Sequence, residues 1–140
     1  LLSRHVNARL VPGSHQILTT LAAELEAYFA AEGHTFSVPL QLLGTPFQQQ
    51  VWEALLAIPY GVTRSYAELA TSIGRPTAAR AVARSNGDNR LAIIIPCHRV
   101  IGADGSPTGY GGGVWRKQRL LELEAGSASV GQAASAGKSP

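Results

Sequence analysis

The chain's one cysteine stands in the stretch Ile93-Ile94-Ile95-Pro96-Cys97-His98-Arg99-Val100. The β-branched run reads as a buried strand. Pro96 should end it, since its ring has no amide hydrogen and restricts Ile95 to extended geometry. The expectation is a thiol delivered at a strand exit, beside an imidazole and a guanidinium. A lone cysteine is more often a small buried hydrophobe. Here its two basic neighbours reverse that preference, because they favour the thiolate over a thiol of ordinary pKa, about 8.5. The chemistry on offer is nucleophilic attack by sulfur.

Upstream lies a second patterned stretch. Ser65-Tyr66-Ala67-Glu68 forms a capping box that opens a helix through Leu69 to Ile73. Gly74-Arg75-Pro76 breaks it, and Thr77 is placed to cap a further helix, Ala78 to Arg84. Two short helices across a tight glycine turn read as a helix-turn-helix. The second is slim with alanine and presents Arg80 and Arg84, so it can enter a groove. Between Arg64 and Arg119 nine basic residues face three acidic ones, a surplus of six where the whole chain carries +3. That concentration is the electrostatic footprint of a nucleic-acid binder. Ser85 to Arg90 reads as the connector from this helix pair to the cysteine, with Asn89 in a position to tie backbone groups together. Downstream, Thr108-Gly109-Tyr110-Gly111-Gly112-Gly113 lets backbone approach a flat ligand closely, and it lacks the P-loop lysine-serine pattern.

The elements that must position these residues are legible around them. Ile17, Leu18, Leu21, Leu25, Tyr28 and Phe29 follow helical spacing, with Gly33 as the stop. Thr35 to Val38 alternates as a short strand or linker, and His5, His15 and His34 are scattered without metal-ligand spacing. Thr45-Pro46-Phe47-Gln48 opens a helix whose stripe is Phe47, Val51, Leu55 and Ile58, closed by Pro59-Tyr60-Gly61. Asp104-Gly105 reads as a hairpin turn. A last helix runs from Val114 to Glu124, packing Val114, Leu120 and Leu121, and beyond Gly126 the apolar pattern stops, which predicts disorder.

With 140 residues and 45% hydrophobic content the chain can bury a core. One cysteine excludes an internal disulfide framework and a Cys-rich zinc site and fits a reducing, cytoplasmic setting. No run reaches the roughly 18 consecutive apolar residues of a membrane span. The chain opens on leucine and has no methionine, which reads as the C-terminal piece of something longer. The expected organisation is residues 1–43 as the trailing part of an α/β domain, 44–125 as a DNA-binding and reactive domain, and 126–140 as a tail.

Pro96-Cys97-His98-Arg99-Val100, preceded by Ala78-Ala79-Arg80-Ala81-Val82 and followed by Gly109-Tyr110, resembles the O6-alkylguanine-DNA alkyltransferase family. The resemblance runs from about Gly44 to Glu124, and Thr45 to Trp52 is most similar to its Ada and Ogt branches. It implies a mostly α domain with a short β element, winged helix-turn-helix-like, behind the remnant of an α/β N-terminal domain. It implies single-turnover transfer of an alkyl group from O6 of guanine, and from O4 of thymine, in double-stranded DNA to Cys97, by a bacterial-type monomer with no metal or cofactor. In that scheme His98, through a water, takes the thiol proton and Glu124 orients His98. Asn89 is the hinge to the helix pair, Arg80 fills the vacated base stack, and Tyr66 crowds the rotating phosphate. Tyr110 donates to the purine ring. The carbonyls of Cys97 and Val100 accept from the exocyclic amine, the Gly111 amide faces O6, and Arg99 belongs to the base-contacting set. Arg90 replaces a proline found in many members, and Gly111 a serine found in some.

Two other classes use parts of this pattern. A recognition module would bind alkylated DNA without chemistry, but those relatives lack the cysteine that Cys97 supplies; a gene regulator of the Ada type would need metal-binding cysteines, which this sequence does not carry. A cysteine hydrolase would leave the arginine-bearing helix pair unexplained, and adjacent Cys-His residues seldom face each other. Under the alkyltransferase reading, Arg80→Ala should slow reaction with a duplex far more than reaction with free O6-benzylguanine, measured as single-turnover rates. Equal slowing on both would remove the intercalating role.

Overall fold

A computed structural model describes residue 13 and residues 15–33, 35–105 and 113–131, with side chains through residue 126. The chain divides into two compact units, Leu1–Leu43 and Gly44–Pro140.

In the first unit, α1 spans Gln16–Phe29, with the His15 ring accepting the Ile17 amide as N-cap. Its end comes earlier than Gly33. Ala31 takes the left-handed conformation at φ 59°, and the amides of Ala31 and Glu32 return to the carbonyls of Tyr28 and Ala27. This is a Schellman closure with alanine where glycine is usual. Thr35 to Val38 is linker, pinned where the Glu24 carboxylate accepts from the Ser37 amide and hydroxyl. Tyr28 and Val38 are buried, whereas Ile17, Leu18 and Phe29 of the expected stripe are exposed. His5 and His34 lie outside the described residues.

The second unit is mostly helical. α2 spans Pro46–Leu56, and its capping box forms as its sequence predicts, Thr45 accepting from the Gln48 amide and Gln48 from the Thr45 amide. Val51, Trp52 and Leu55 supply its buried face. β1 is the two-residue strand Arg64–Ser65, and Ser65 caps α3, Tyr66–Ser72, through a second complete box with Glu68. Gly74, at φ 77°, closes α3 in a glycine Schellman turn. α4 then runs Ala79–Gly87 and packs on α2 and α3 through Val82. Thr77 does not cap it. Ala78 occupies that position and no side chain bonds to the first-turn amides. Ser85, Asn86 and Gly87, expected in a connector, form the last turn of α4.

The largest departure surrounds the cysteine. Ile93 to Ile95 is not a strand; only an isolated bridge joins Ala92 to Ile95. Ile93 sits at φ 75°, a conformation costly for a β-branched residue. Hydrogen bonds from Ile95 N to Leu91 O and from Cys97 N to Ile95 O coil the segment instead. Cys97–Arg99 forms a 3₁₀ turn, and the strand follows it: β2, Val100–Ile101, pairs in parallel with β1 in the register Arg64 to Val100. Gly105, at φ 86°, closes a turn onto Gly102, but among the described residues it leads into no hairpin. α5 spans Val114–Gly131, so the helix continues past Gly126 into residues expected to be disordered. Alanine and serine there need no apolar stripe to extend a helix already nucleated. Leu120 packs inward as expected, but Val114 is exposed.

Candidate active site

Cys97 opens the 3₁₀ turn, buried at 5% exposure. Three elements hold it. Asn89, two residues past α4, donates its amide to the Ile95 carbonyl at 2.9 Å and to Cys97 Sγ at 3.1 Å, while its own oxygen accepts from the Leu91 amide. Asn86, in α4, donates to the Cys97 carbonyl at 3.3 Å. The Val100 amide closes the turn onto that same carbonyl. Asn89 therefore stands where the hinge was expected, and it reaches the sulfur itself.

Burial pushes the Cys97 thiol above its ordinary range, opposed by the Asn89 hydrogen bond and by the charge of Lys117. The expectation that adjacent His98 and Arg99 would supply the thiolate does not match this balance. Arg99 is spent elsewhere, and it is Lys117 that sets positive charge toward the sulfur. Lys117 is fully buried on α5, with its ammonium bonded to the Val100 carbonyl and 5.9 Å from the Tyr66 ring centroid. Burial lowers its pKa to about 8, partly offset by Cys97. It was counted among the basic residues of the DNA-facing window, and the structure draws it into the core instead.

His98 and Arg99 converge on Glu124, also on α5. His98 Nε2 lies 2.6 Å from one carboxylate oxygen. Arg99 donates to both oxygens, at 2.8 and 3.0 Å, and to the Ile58 carbonyl at 2.8 Å. The Gly61 amide also donates to it, at 3.3 Å. Burial alone would raise the Glu124 pKa, but the hydrogen bonds and charges of His98 and Arg99 outweigh it and hold the carboxyl at about 2. An ionised carboxylate only accepts, so the Nε2 proton must sit on His98. Whenever the ring is neutral its basic nitrogen is then Nδ1, which is buried and has no hydrogen-bond partner among the described residues. A fixed tautomer with one free basic nitrogen is what a general base requires.

The remaining expected positions divide. Tyr66 opens α3 beside Lys117, and Arg80 is exposed on the first turns of α4. Arg99, expected at the base, is buried and committed to Glu124. The Val100 carbonyl already accepts from Lys117, and that of Cys97 from Asn86 and Val100. Tyr110 and Gly111 lie outside the described residues. Sequence reading missed Lys117, Asn86 and Gly61. The signal for the first was available: Lys117 precedes Glu124 by seven residues, two helical turns, on the face that also buries Leu120. Of the nine basic residues in the window, Arg99 and Lys117 are internal and the other seven are exposed. Among the described residues no cluster of side chains could hold a metal ion, and no helix is long and apolar enough to cross a membrane.

The pattern of the family described as 6-O-methylguanine DNA methyltransferase, DNA binding domain, matches residues 46–126. A Mycobacterium tuberculosis protein named methylated-DNA–protein-cysteine methyltransferase is 65% identical over 101 residues, 72% of this chain and 61% of that protein. This chain thus spans about three-fifths of the length of its curated mycobacterial relatives. A crystal structure of M. tuberculosis OGT in complex with DNA superposes with a TM-score of 0.77 at 60% identity, over 78% of this chain and 68% of that one. S. pombe Atl1, in complex with damaged DNA containing O6-carboxymethylguanine, superposes with a TM-score of 0.51 at 32% identity, over 56% and 74%.

Two outcomes follow from the electrostatics. The Glu124 carboxyl is lowered from 4.5 to about 2, so its contribution, roughly 3 kcal/mol, is fully present above the ordinary carboxylate range and is lost as pH falls toward 2. Urea unfolding at stepped pH should show that loss in the native chain and a shallower one in Glu124→Gln, which starts less stable at neutral pH. Lys117→Met should move the midpoint of Cys97 labelling by iodoacetamide to higher pH, because the charge that lowers the thiol pKa is gone; an unmoved midpoint would show that the ammonium does not act on the sulfur.

Proposed function

The chain belongs to the 6-O-methylguanine DNA methyltransferase family, and from that footing we propose that it repairs DNA by moving an alkyl group from O6 of guanine, and from O4 of thymine, onto Cys97. The observation that carries this reading is the buried pair of contacts at adjacent residues, Asn89 on the Cys97 sulfur and Glu124 on the His98 ring, set beside an arginine-bearing helix pair. The sulfur attacks the alkyl carbon in line, the carbon–O6 bond breaks, and its electron pair leaves with the guanine. The thiol proton passes through a bridging water to His98 Nδ1, while Glu124 holds the ring's other nitrogen and stabilises the imidazolium. Lys117 and the Asn89 amide lower the cost of the thiolate within an otherwise desolvating site. A thioether is stable and nothing in the site cleaves it, so each molecule reacts once.

O6 is stacked inside a duplex, so the nucleotide must be flipped out. α4 is the element for this task. Arg80 projects from its first turns to fill the vacated stack, and the amides of that turn, capped by no side chain, suit a phosphate. Tyr66 stands against the rotating phosphate. Tyr110 is assigned to the purine ring and the Gly111 amide to O6 on the family resemblance, and the exocyclic amine shares the Cys97 and Val100 carbonyls with their present donors. Arg99 serves the base indirectly by fixing Glu124. Residues 44–125 form the reactive domain, acting as a monomer in the cytoplasm, where the thiol stays reduced. The presence of Cys97 in this network favours transfer over recognition alone.

Intact and peptide mass spectrometry after mixing with a duplex carrying O6-methylguanine tests the reading. One methyl increment on the Cys97 peptide, saturating at one per chain, is expected, and Cys97→Ser should lose it while still binding the duplex. Binding without any increment in the native chain would reduce the protein to a recognition module.

A further inference from the structure

We propose that Asn86 is a positioning residue that transmits engagement of a duplex by α4 to the Cys97 main chain, an inference that rests on the alkyl-transfer reading above. Asn86 lies in the last turn of α4 and is buried at 2% exposure. Its amide nitrogen donates to the Cys97 carbonyl, but its oxygen has no hydrogen-bond partner among the described residues. A buried polar atom left without a partner works against folding. A side chain of leucine shape would fill the same space without that penalty, so stability does not account for an asparagine here. What it supplies is a single directed bond from the helix to the reactive residue.

The surrounding geometry gives that bond a purpose. Asn86 holds the carbonyl of Cys97, and Asn89, three residues on, holds its sulfur. Main chain and nucleophile are therefore both suspended from one end of α4, whose other end carries the exposed Arg80. The suspended end is itself anchored to α2, since Trp52 Nε1 donates to the Ser85 carbonyl at 2.9 Å and Gln48 donates to Asp88 at 3.0 Å. A shift of α4 on docking cannot be absorbed by a loose helix end, and it reaches Cys97 through the two asparagines. The Asn86 bond is the longer of the pair and acts on the backbone that aims the thiol. It does not touch the sulfur, so it sets direction and leaves the proton affinity of the thiol to Asn89 and Lys117.

The test uses the full chain with Asn86→Leu. The thermal midpoint and the affinity for duplex should hold or rise, and the pH profile of iodoacetamide labelling should not move. Single-turnover methyl transfer from duplex should fall about tenfold, the order expected for a misaimed nucleophile, and transfer from free O6-benzylguanine should fall clearly less. Independently of any substrate, amide hydrogen exchange across residues 97–100 should quicken while that of α4 stays put. Native transfer rates, equal slowing on both substrates, or a rate that falls only in step with the thermal midpoint would each overturn the proposal. Should the leucine variant fail to fold, the stability argument fails with it, and Asn86→Ala then decides the coupling by the same ratio of duplex to free-base rates. If the native chain transfers nothing from duplex, the functional reading is what has failed; unchanged exchange at residues 97–100 would then separately dismiss Asn86 as the holder of the turn.

Discussion

The site depends on one buried carboxylate. Glu124 is the point where α5, the 3₁₀ turn and the loop after α2 meet, because it takes hydrogen bonds from His98, Arg99 and the Gly61 amide at once. Removing a carboxylate from water is costly, and a single cation seldom repays it. Here a guanidinium fork, an imidazole and a backbone amide share the load. Arg99 extends the network to the Ile58 carbonyl, so the loop that leads from α2 into β1 is fixed to the same centre. The consequence is a histidine ring that cannot flip: Nε2 is committed to Glu124, which leaves Nδ1 on the opposite side of the ring.

The thiol is held under opposing demands. Burial protects it from casual oxidation and raises its pKa, whereas attack on carbon needs the thiolate. The structure eases the conflict by placing two favourable partners at the sulfur, an amide from Asn89 and the ammonium charge of Lys117. Together they do not outweigh burial, and the thiol stays above its ordinary range. The resting protein therefore holds a protected thiol with partners for its ionised form already in place.

Much of this was legible in the sequence, and what was not failed for identifiable reasons. Both capping boxes form as written, because Thr45 with Gln48 and Ser65 with Glu68 satisfy local donors that need no tertiary context. Asn89 meets Cys97 and His98 meets Glu124, contacts that a family resemblance pointed to more than local chemistry did. The strand before the cysteine was misplaced because Ile93 to Ile95 has the composition of a strand, while the bonds that Asn89 and Leu91 offer from outside coil it. Tertiary partners overrode propensity. Arg99 was read as a base contact and Lys117 as one of the basic window, and only the buried groups that they meet, Glu124 and the Val100 carbonyl, explain why they turn inward.

The parallel pairing of Arg64 with Val100 has a consequence for how the molecule comes into being. It encloses the whole helix pair between its two strands, so it is a closure of high contact order around elements whose own contacts are local. The capped helices are expected to form early and the strand pair late, after the loop entropy has been met. Glu124 lies further along still, so the network around His98 assembles last. Until then the nascent chain carries an unshielded cysteine, and its burial comes only with the final topology. Thiol protection and completed folding coincide, which makes the accessibility of Cys97 a readout of the native fraction itself.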